Sequence, residues 1–319
     1  FFYPAASLSF VVTDMLDLNS DILSFGKIRA SWAQVGNDTG PYQLAPTYNV
    51  NPNNTYAAGE TGMPFNSVPG ATLSDVGRDP NLKPEITEEI ELGAEIKLLN
   101  NKIGLDVAVY QRDAKNQIAG IAIPSESGFQ SYFTNIGTVR NRGIEVGLSL
   151  VPVSLKNGFV WDIYGTFTHN KNTIEELVDG TDELVLRNTF AGSVQAVHQL
   201  GQEYGLLKGT VAARDDEGNL LIDPSNGQLI ADLDPEIIGN PNPDFIVGIT
   251  NSFSWKGITL SAVIDWRQGG DMYSVTNMSL LGRGVTTDTE DREVNRIIPG
   301  VYGDPNTGEP LRNEAGEKI

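Results

Sequence analysis

The feature that most constrains this chain is a strict alternation of apolar and polar side chains. Over residues 90–98 the apolar positions are separated by Glu91, Gly93, Glu95 and Lys97. On a helix these apolar residues would be scattered over every face, whereas on a β-strand they form one face. The pattern recurs at residues 103–110, 144–150, 159–168, 245–253 and 258–267, and in weaker form at residues 5–13 and 27–36. We therefore predict an all-β chain with about eight strands.

The predicted strands are about ten residues long, whereas strands of globular proteins average about five or six. About ten residues is the length that a tilted strand needs to cross a bilayer. The second face of each strand carries mainly Gly, Ser, Thr, Asp and Glu. The core of a soluble sandwich would reject these residues, but a lumen filled by water or by a plug accepts them. The pattern therefore predicts an antiparallel transmembrane β-barrel.

The connections between the predicted strands alternate between short and long. Short turns are predicted at residues 100–101, 151–157 and 256–257, and residues 14–25 form an intermediate connection that belongs with them by parity. The long connections are residues 37–88, 116–139, 171–243 and 270–319. Transmembrane barrels have tight turns on the periplasmic side and long loops outside. We therefore expect the four long segments to be extracellular loops.

Aromatic side chains are predicted near the ends of several strands. These residues are Trp32, Tyr110, Trp161, Trp255 and Trp266. Aromatic girdles at the two membrane interfaces have this distribution, although strands also favour aromatic residues in general. Two explanations, a girdle and ordinary strand preference, therefore stay open.

The composition excludes several classes of function. The chain of 319 residues has a net charge of −19, which argues against nucleic acid as a partner, because binding it requires clustered Lys and Arg. There is no Cys, so thiol catalysis and Cys-based metal sites are excluded. The two histidines, His169 and His198, stand in no recognisable catalytic motif, and no Gly-x-Ser-x-Gly turn is present. We therefore assign no catalytic residues and expect no enzyme, with His169 an ordinary residue at the barrel rim.

One acidic segment has the oxygen ligands that calcium prefers. Asp215, Glu217, Asn219 and Asp223 alternate along the chain, but Gly218 lies at the fourth position instead of the sixth. A hairpin turn inside a long loop is the simpler interpretation. Calcium is kept as a minor alternative, and no other metal or cofactor is expected.

Several short motifs resemble those of TonB-dependent receptors, and of the SusC/RagA branch in particular. In chain order they are residues 79–85 with Thr87, Glu88, Glu91, Gly93 and Glu95; Tyr110 with Asp113 and Lys115; Asn135-Ile136-Gly137; residues 141–145; Trp161 with Asn170, Lys171 and Asn172; residues 238–241 with Pro243 and Asp244; and residues 265–270. Their order agrees over about residues 25–270. Pro84 suits the position before a strand, Gly143 suggests a flexible point where a loop re-enters the wall, and Gly269-Gly270 suggests a strand end.

The resemblance implies a barrel of about 22 strands around an N-terminal plug. Residues 1–319 would be part of the C-terminal half of this barrel, without the plug, the TonB box or the last strands. This agrees with the pattern itself, because an unclosed sheet edge is not tolerated in lipid and more strands must complete the cylinder.

The resemblance also implies a function. Such proteins lie in the outer membrane of Gram-negative Bacteroidota, pair with a SusD-like surface lipoprotein, and import glycans or peptides with energy delivered through TonB. The aromatic candidates for ligand contact in the long loops are Tyr42, Tyr48, Tyr56 and Tyr204. Two alternatives stay open: a barrel with an adhesion, assembly or structural role, and a soluble β-rich enzyme or binding domain.

Overall fold

The computed structural model describes residues 2–18, 20–50, 70–178, 180–188, 194–295 and 297–319. The strands are β1 (Ala5–Val11), β2 (Leu23–Asn37), β3 (Tyr48–Asn49), β4 (Thr72–Leu73), β5 (Val76–Arg78), β6 (Glu85–Leu98), β7 (Ile103–Ala122), β8 (Ser131–Ser154), β9 (Val160–Leu177), β10 (Glu183–Asn188), β11 (Val194–Gln199), β12 (Leu206–Gly209), β13 (Leu221–Ile222), β14 (Glu236–Gly239), β15 (Pro243–Trp255), β16 (Ile258–Gly269) and β17 (Val301–Tyr302). The helices are α1 (Val12–Met15) and α2 (Val275–Gly282), with 3-10 turns at Ser125–Ser127 and Thr287–Thr289.

The main sheet contains all eight strands that the alternation predicts. Its order is β1-β2-β6-β7-β8-β9-β15-β16, so each long strand pairs with the next one along the chain, and β5 pairs with β8 in addition. The pairings along this path are antiparallel. This confirms the predicted all-β antiparallel fold, in the form of an unclosed part of a barrel wall.

Among the described residues, no helix is both long and apolar enough to cross a membrane.

The turns at one end of the main sheet are tight. Lys256 and Gly257 form a two-residue turn between β15 and β16, with φ angles of 48° and 86°. Asn100 and Asn101 lie between β6 and β7 and also have positive φ angles. Asn and Gly adopt this left-handed backbone most readily, so Asn100, Asn101 and Gly257 favour these turns.

The strands run further than expected at the opposite end. The predicted loop at residues 116–139 is largely strand, because β7 continues to Ala122 and β8 starts at Ser131. The loop limits that we expected were therefore too wide here. The alternation breaks off where these strands leave the apolar region, so periodicity alone could not show their continuation.

The two faces of the main sheet differ sharply. Residues directly opposite each other on paired strands share a face. One such row contains Ile28, Ala94, Val107, Val146, Phe167, Val247 and Trp266. Ile258 and Leu260 on the same face are 72% and 68% exposed, and a continuous exposed apolar surface of this kind marks contact with another apolar phase. We call it the apolar face and the other the polar face.

Four Trp residues lie on the apolar face, but Tyr110 does not. Trp161 stacks on Phe253 with ring centroids 5.7 Å apart. Tyr110 lies opposite Gly143 and Glu91 on the polar face. Its inclusion in the expected girdle was therefore wrong, because a residue one position away along a strand points to the opposite side.

The chain divides into two compact units. The first contains the main sheet and residues 198–204, and the second comprises residues 185–197, 205–242 and 270–319. In the second unit, β13 and β17 pair in parallel, and Ala213, Leu221 and Ile230 form a small core. This core explains why so polar a segment is ordered.

Candidate functional site

The polar face of the main sheet carries a connected set of charged side chains. Arg29 donates two hydrogen bonds to the Asp106 carboxylate, at 2.9 and 3.0 Å, and one to Glu91 at 3.3 Å. Lys27 lies 2.8 Å from Glu95. Partly exposed pairs of this kind contribute about 0–1 kcal/mol each to stability. Their main effect is to fix where charge is presented along the polar face.

Glycines on the polar face make room for long side chains that lie along the wall. The Tyr110 ring covers Gly143, and a Cβ added there would stand 2.5 Å from the ring. The Tyr110 hydroxyl donates to the Asn170 side chain at 3.1 Å, and Asn170 donates to Asn141 at 3.0 Å. Gly143 lies inside β8 without a positive φ, so the predicted flexible re-entry point was wrong. Close packing of Tyr110 is the physical reason for this glycine.

A recess lies where β7, β8 and β9 extend past the apolar face. A cavity of about 510 Å³ is lined there by Asn116, Asn135, Gly137, Thr138, Glu176, Leu177 and Val178. Its size falls in the range of small-molecule sites, about 300–1,000 Å³. The lining mixes amide, hydroxyl and carboxylate groups with two aliphatic side chains, so it can form hydrogen bonds and apolar contacts with a ligand.

Hydrogen bonds hold the walls of this cavity. Asn135 donates from its amide to the carbonyl oxygens of Lys83 and Asn116, both at 2.8 Å. Thr138 donates to Glu176 at 2.7 Å. Gly137 has a φ of 142°, and a Cβ there would stand 1.9 Å from the Glu176 carbonyl oxygen, so only glycine fits. The motif Asn135-Ile136-Gly137 was visible in the sequence, but nothing in it revealed a cavity.

Residues 198–204 form hydrogen bonds with β9 beside this region. The Tyr204 amide donates to the Asn172 side chain at 2.6 Å, and the Gly201 amide donates to the Ile174 carbonyl at 2.9 Å. The Tyr204 ring lies against His198, with ring centroids 4.1 Å apart. His198 is 1% exposed, and its ring nitrogens have no hydrogen-bond partner among the described residues. Burial lowers the pKa of His198 to about 4, so the ring is neutral at neutral pH.

The structure does not bring the four tyrosine candidates together within the described residues. Tyr42 and Tyr48 are 84% and 70% exposed, whereas Tyr204 packs on His198. Tyr56 lies outside the described residues. Their assignment as ligand contacts stays a prediction.

The acidic segment considered for calcium forms hairpin turns. The Asp215 carboxylate accepts hydrogen bonds from Lys318 at 2.8 Å, from the Asn219 amide group at 3.0 Å, and from the backbone amides of Glu217 and Asn219. The Lys318 ammonium, followed by Asn219, holds the pKa of Asp215 well below its usual range. No cluster of three potential metal-ligating side chains occurs in the described ranges. Calcium binding stays a prediction, and Lys318 already supplies a cation to Asp215.

His169 lies at the rim, at the end of the apolar face. It is directly opposite Ile144, and its Nδ1 is 2.5 Å from the carbonyl oxygen of Asp244. Because a carbonyl oxygen can only accept, this nitrogen is the donor. The contact anchors β9 to the start of β15, as expected of a structural rim residue.

The chain is similar to several receptors of one bacterium. It is 26% identical to TonB-dependent receptor P3 of Formosa agariphila over 313 residues, which cover 91% of this chain and 30% of that protein. It is 25% identical to TonB-dependent receptor P26 of the same organism over 342 residues, covering 97% of this chain and 33% of that protein. The chain thus spans about a third of the length of these curated relatives.

A solved structure described as "Structure of the RagAB peptide transporter" has the same fold. It superposes with a TM-score of 0.65 at 21% identity, covering 84% of this chain and 29% of that one. The family described as "TonB dependent receptor-like, beta-barrel" matches residues 1–233. These receptors of the outer membrane are transporters and not enzymes, in agreement with the expectation that this chain is no enzyme. Since the match covers well over half of the chain, the protein belongs to the TonB-dependent receptor β-barrel family.

Proposed function

We propose that this chain is part of the barrel wall of an active importer in the outer membrane of a Gram-negative bacterium. The observation that carries the proposal is the two-faced main sheet. Its apolar face suits lipid, and its polar face presents ion pairs and flat-lying side chains such as Arg29 and Tyr110. Membership of a transporter family supports the same function.

The imported nutrient would be a glycan or a peptide. The RagAB structure is described as a peptide transporter, which makes a peptide one candidate. A glycan is the other candidate. A SusD-like lipoprotein would cover the long-loop end, and TonB would act through a part of the protein outside this chain. The energy for uptake would enter by that route.

We further propose that the cavity at the rim takes part in ligand capture. Asn116, Thr138 and Glu176 present donors and acceptors that suit sugar hydroxyls or peptide amides. The long loops, with Tyr42, Tyr48, Tyr56 and Tyr204, would supply further contacts. Each hydrogen bond to a ligand contributes about 1 kcal/mol, or roughly fivefold in affinity.

The experiment uses a strain from which the full-length gene has been deleted. Growth is compared on single glycans and peptides, and uptake of the labelled nutrient is measured after complementation. Import predicts loss of growth on one nutrient class and rescue by the wild-type gene. Normal growth on every nutrient, together with an adhesion or envelope-assembly defect, would favour the alternative role instead.

Two variants test the cavity. Asn116→Gly removes the amide but keeps the left-handed backbone, because Asn116 has a φ of 55°. Glu176→Gln removes the charge but keeps an acceptor for Thr138. Glu126→Gln, an equal change in the exposed turn between β7 and β8, is the matched control. Both cavity variants should lower uptake about fivefold or more at limiting nutrient. Uptake equal to that of the control would exclude the cavity from capture.

A further inference from the structure

Two basic residues face each other on the apolar side of the wall. Arg142 on β8 and Lys171 on β9 are direct cross-strand partners, and Gln111 on β7 completes the row. The next row along the same face consists of Val109, Ile144 and His169. The two cations therefore lie at the boundary where the apolar face ends, on the side of the long loops.

These two cations have no carboxylate partner among the described residues. Arg142 donates from Nε to the side-chain oxygen of Gln111 at 2.9 Å, and the Lys171 side chain makes no hydrogen bond or ion pair with the described residues. Like charges placed directly opposite each other on a sheet are destabilising. The wall therefore keeps an uncompensated pair of positive charges, although the chain as a whole carries −19.

Neighbouring cations on the same face are paired differently. Arg140 lies 2.7 Å from Asp113, and Lys115 lies 2.7 Å from Glu88. Among the described cations on the strands of this face, Arg142 and Lys171 thus differ from Arg140 and Lys115 in having no counter-charge. An anion from outside the chain would complete the row of Arg142 and Lys171.

A shallow apolar recess adjoins Arg142. A cavity of about 360 Å³ is lined by Ile90, Leu92, Val109, Tyr110, Gln111 and Arg142. Its aliphatic walls suit an acyl chain, and Arg142 stands at its polar edge. Basic side chains at this depth meet the headgroups of a bilayer.

We propose that Arg142 and Lys171 bind the phosphate of a membrane lipid in the leaflet on the long-loop side. The acyl chains of the lipid lie along Val109 and Ile144. The proposal rests on the placement of the barrel in the outer membrane, but not on what the barrel imports. Arg142 and Lys171 belong to the sequence motifs Asn141-Arg142-Gly143 and Asn170-Lys171-Asn172. The proposed transport function gives no role to either side chain.

The test measures lipid retention by the purified full-length protein. The protein is exchanged into detergent containing a defined amount of lipid A with both phosphates, and the bound lipid is counted by native mass spectrometry. Wild type is compared with Arg142→Gln, Lys171→Gln and the double variant. Lys115→Gln, which removes a paired cation from the same face, is the matched control. Resistance to unfolding by detergent on heating establishes that each variant is folded.

Each basic residue near a lipid phosphate contributes about fivefold in affinity. We expect about fivefold weaker retention for each single variant and roughly 25-fold for the double variant, with Lys115→Gln close to wild type. Lipid A stripped of its phosphates should bind to wild type as weakly as the intact lipid binds to the double variant.

Two results would overturn the proposal. The first is equal retention of intact lipid A by wild type and by the double variant. The second is full competition by millimolar inorganic phosphate, which would mean that the site binds soluble anions without using the acyl chains. Because retention is measured on purified protein, failure here leaves the import assay unaffected, and loss of import leaves the lipid result standing.

Discussion

Replacing Gly143 with Ala tests how the polar face of the wall is packed. A Cβ at this position would lie 2.5 Å from Cζ and from the hydroxyl oxygen of Tyr110. Contacts this short do not occur, so the ring must swing away from the wall. The displaced ring would lose the 3.1 Å hydrogen bond from its hydroxyl to Asn170.

The magnitude follows from three contributions. Loss of the Tyr110 hydrogen bond costs about 1 kcal/mol. A ring forced about 30° off its rotamer costs about 1 kcal/mol more. The reduced freedom of Ala in the unfolded chain returns about 0.5 kcal/mol. The free energy of unfolding should therefore fall by about 1.5 kcal/mol, roughly a tenfold change in the unfolding equilibrium.

The assay is urea unfolding of the full-length protein in lipid vesicles, followed by Trp fluorescence. Gly143→Ala is made both in the wild type and in a Tyr110→Ala background, which completes a double-mutant cycle. Gly120→Ala on β7 is the control glycine, because a Cβ there meets nothing within 4 Å. If Tyr110 is the cause, the cost of Gly143→Ala should vanish when the ring is absent. An equal cost in both backgrounds would refute the packing argument.

Three further outcomes follow from local contacts. Tyr110→Phe should keep the ring in place and lower the free energy of unfolding by about 1 kcal/mol in the same assay. Because the pKa of Asp215 is lowered in the fold, its contribution is present above the unfolded value near 3.8 and is lost as pH falls through the folded one. Asp215→Asn should therefore speed hydrogen exchange of amides 217 and 219 at neutral pH, and Lys318→Gln should do the same; unchanged exchange in both would contradict this. Burial lowers the pKa of His198 from 6.5 to about 4, so local stability should rise with pH across that interval. After correction for the intrinsic exchange rate, the protection of amides in residues 198–204 should be lower at pH 5 than at pH 7, and His198→Leu should abolish this difference. A difference that persists in His198→Leu would show that His198 is not its cause.

The sequence predicted the membrane-facing part of the fold well, because there one physical rule acts on every second residue. All eight strands and their order agree with the alternation, and Pro84 does stand directly before β6. Gly269 and Gly270 have positive φ angles where β16 ends, as expected. At these positions the conformational preferences of Pro and Gly were enough to predict where a strand begins or ends.

The rim was not predictable in the same way. Beyond the apolar face, β7, β8 and β9 no longer have one apolar and one polar side, and Ile136, Val139 and Ile174 are buried there. The composition therefore no longer alternates, and these stretches were assigned to loops. The cavity depends on partners far apart in sequence, such as Asn135 with Lys83 and Thr138 with Glu176. Likewise, the contact between Lys318 and Asp215 joins residues that are 103 positions apart. No periodicity encodes such contacts.

The continuation of β7 and β8 past the apolar face separates two tasks along the same strands. From Val109 to Ala122 the strand runs on for about 13 residues, or roughly 40 Å at about 3.3 Å per residue. Backbone hydrogen bonds, which do not depend on the identity of the side chains, hold this extension of the wall in place. Substitutions or insertions in the turn around Ser125–Ser127 should therefore leave the lipid-facing part of the wall undisturbed. A receptor built in this way can acquire a new ligand preference while its membrane anchorage stays fixed.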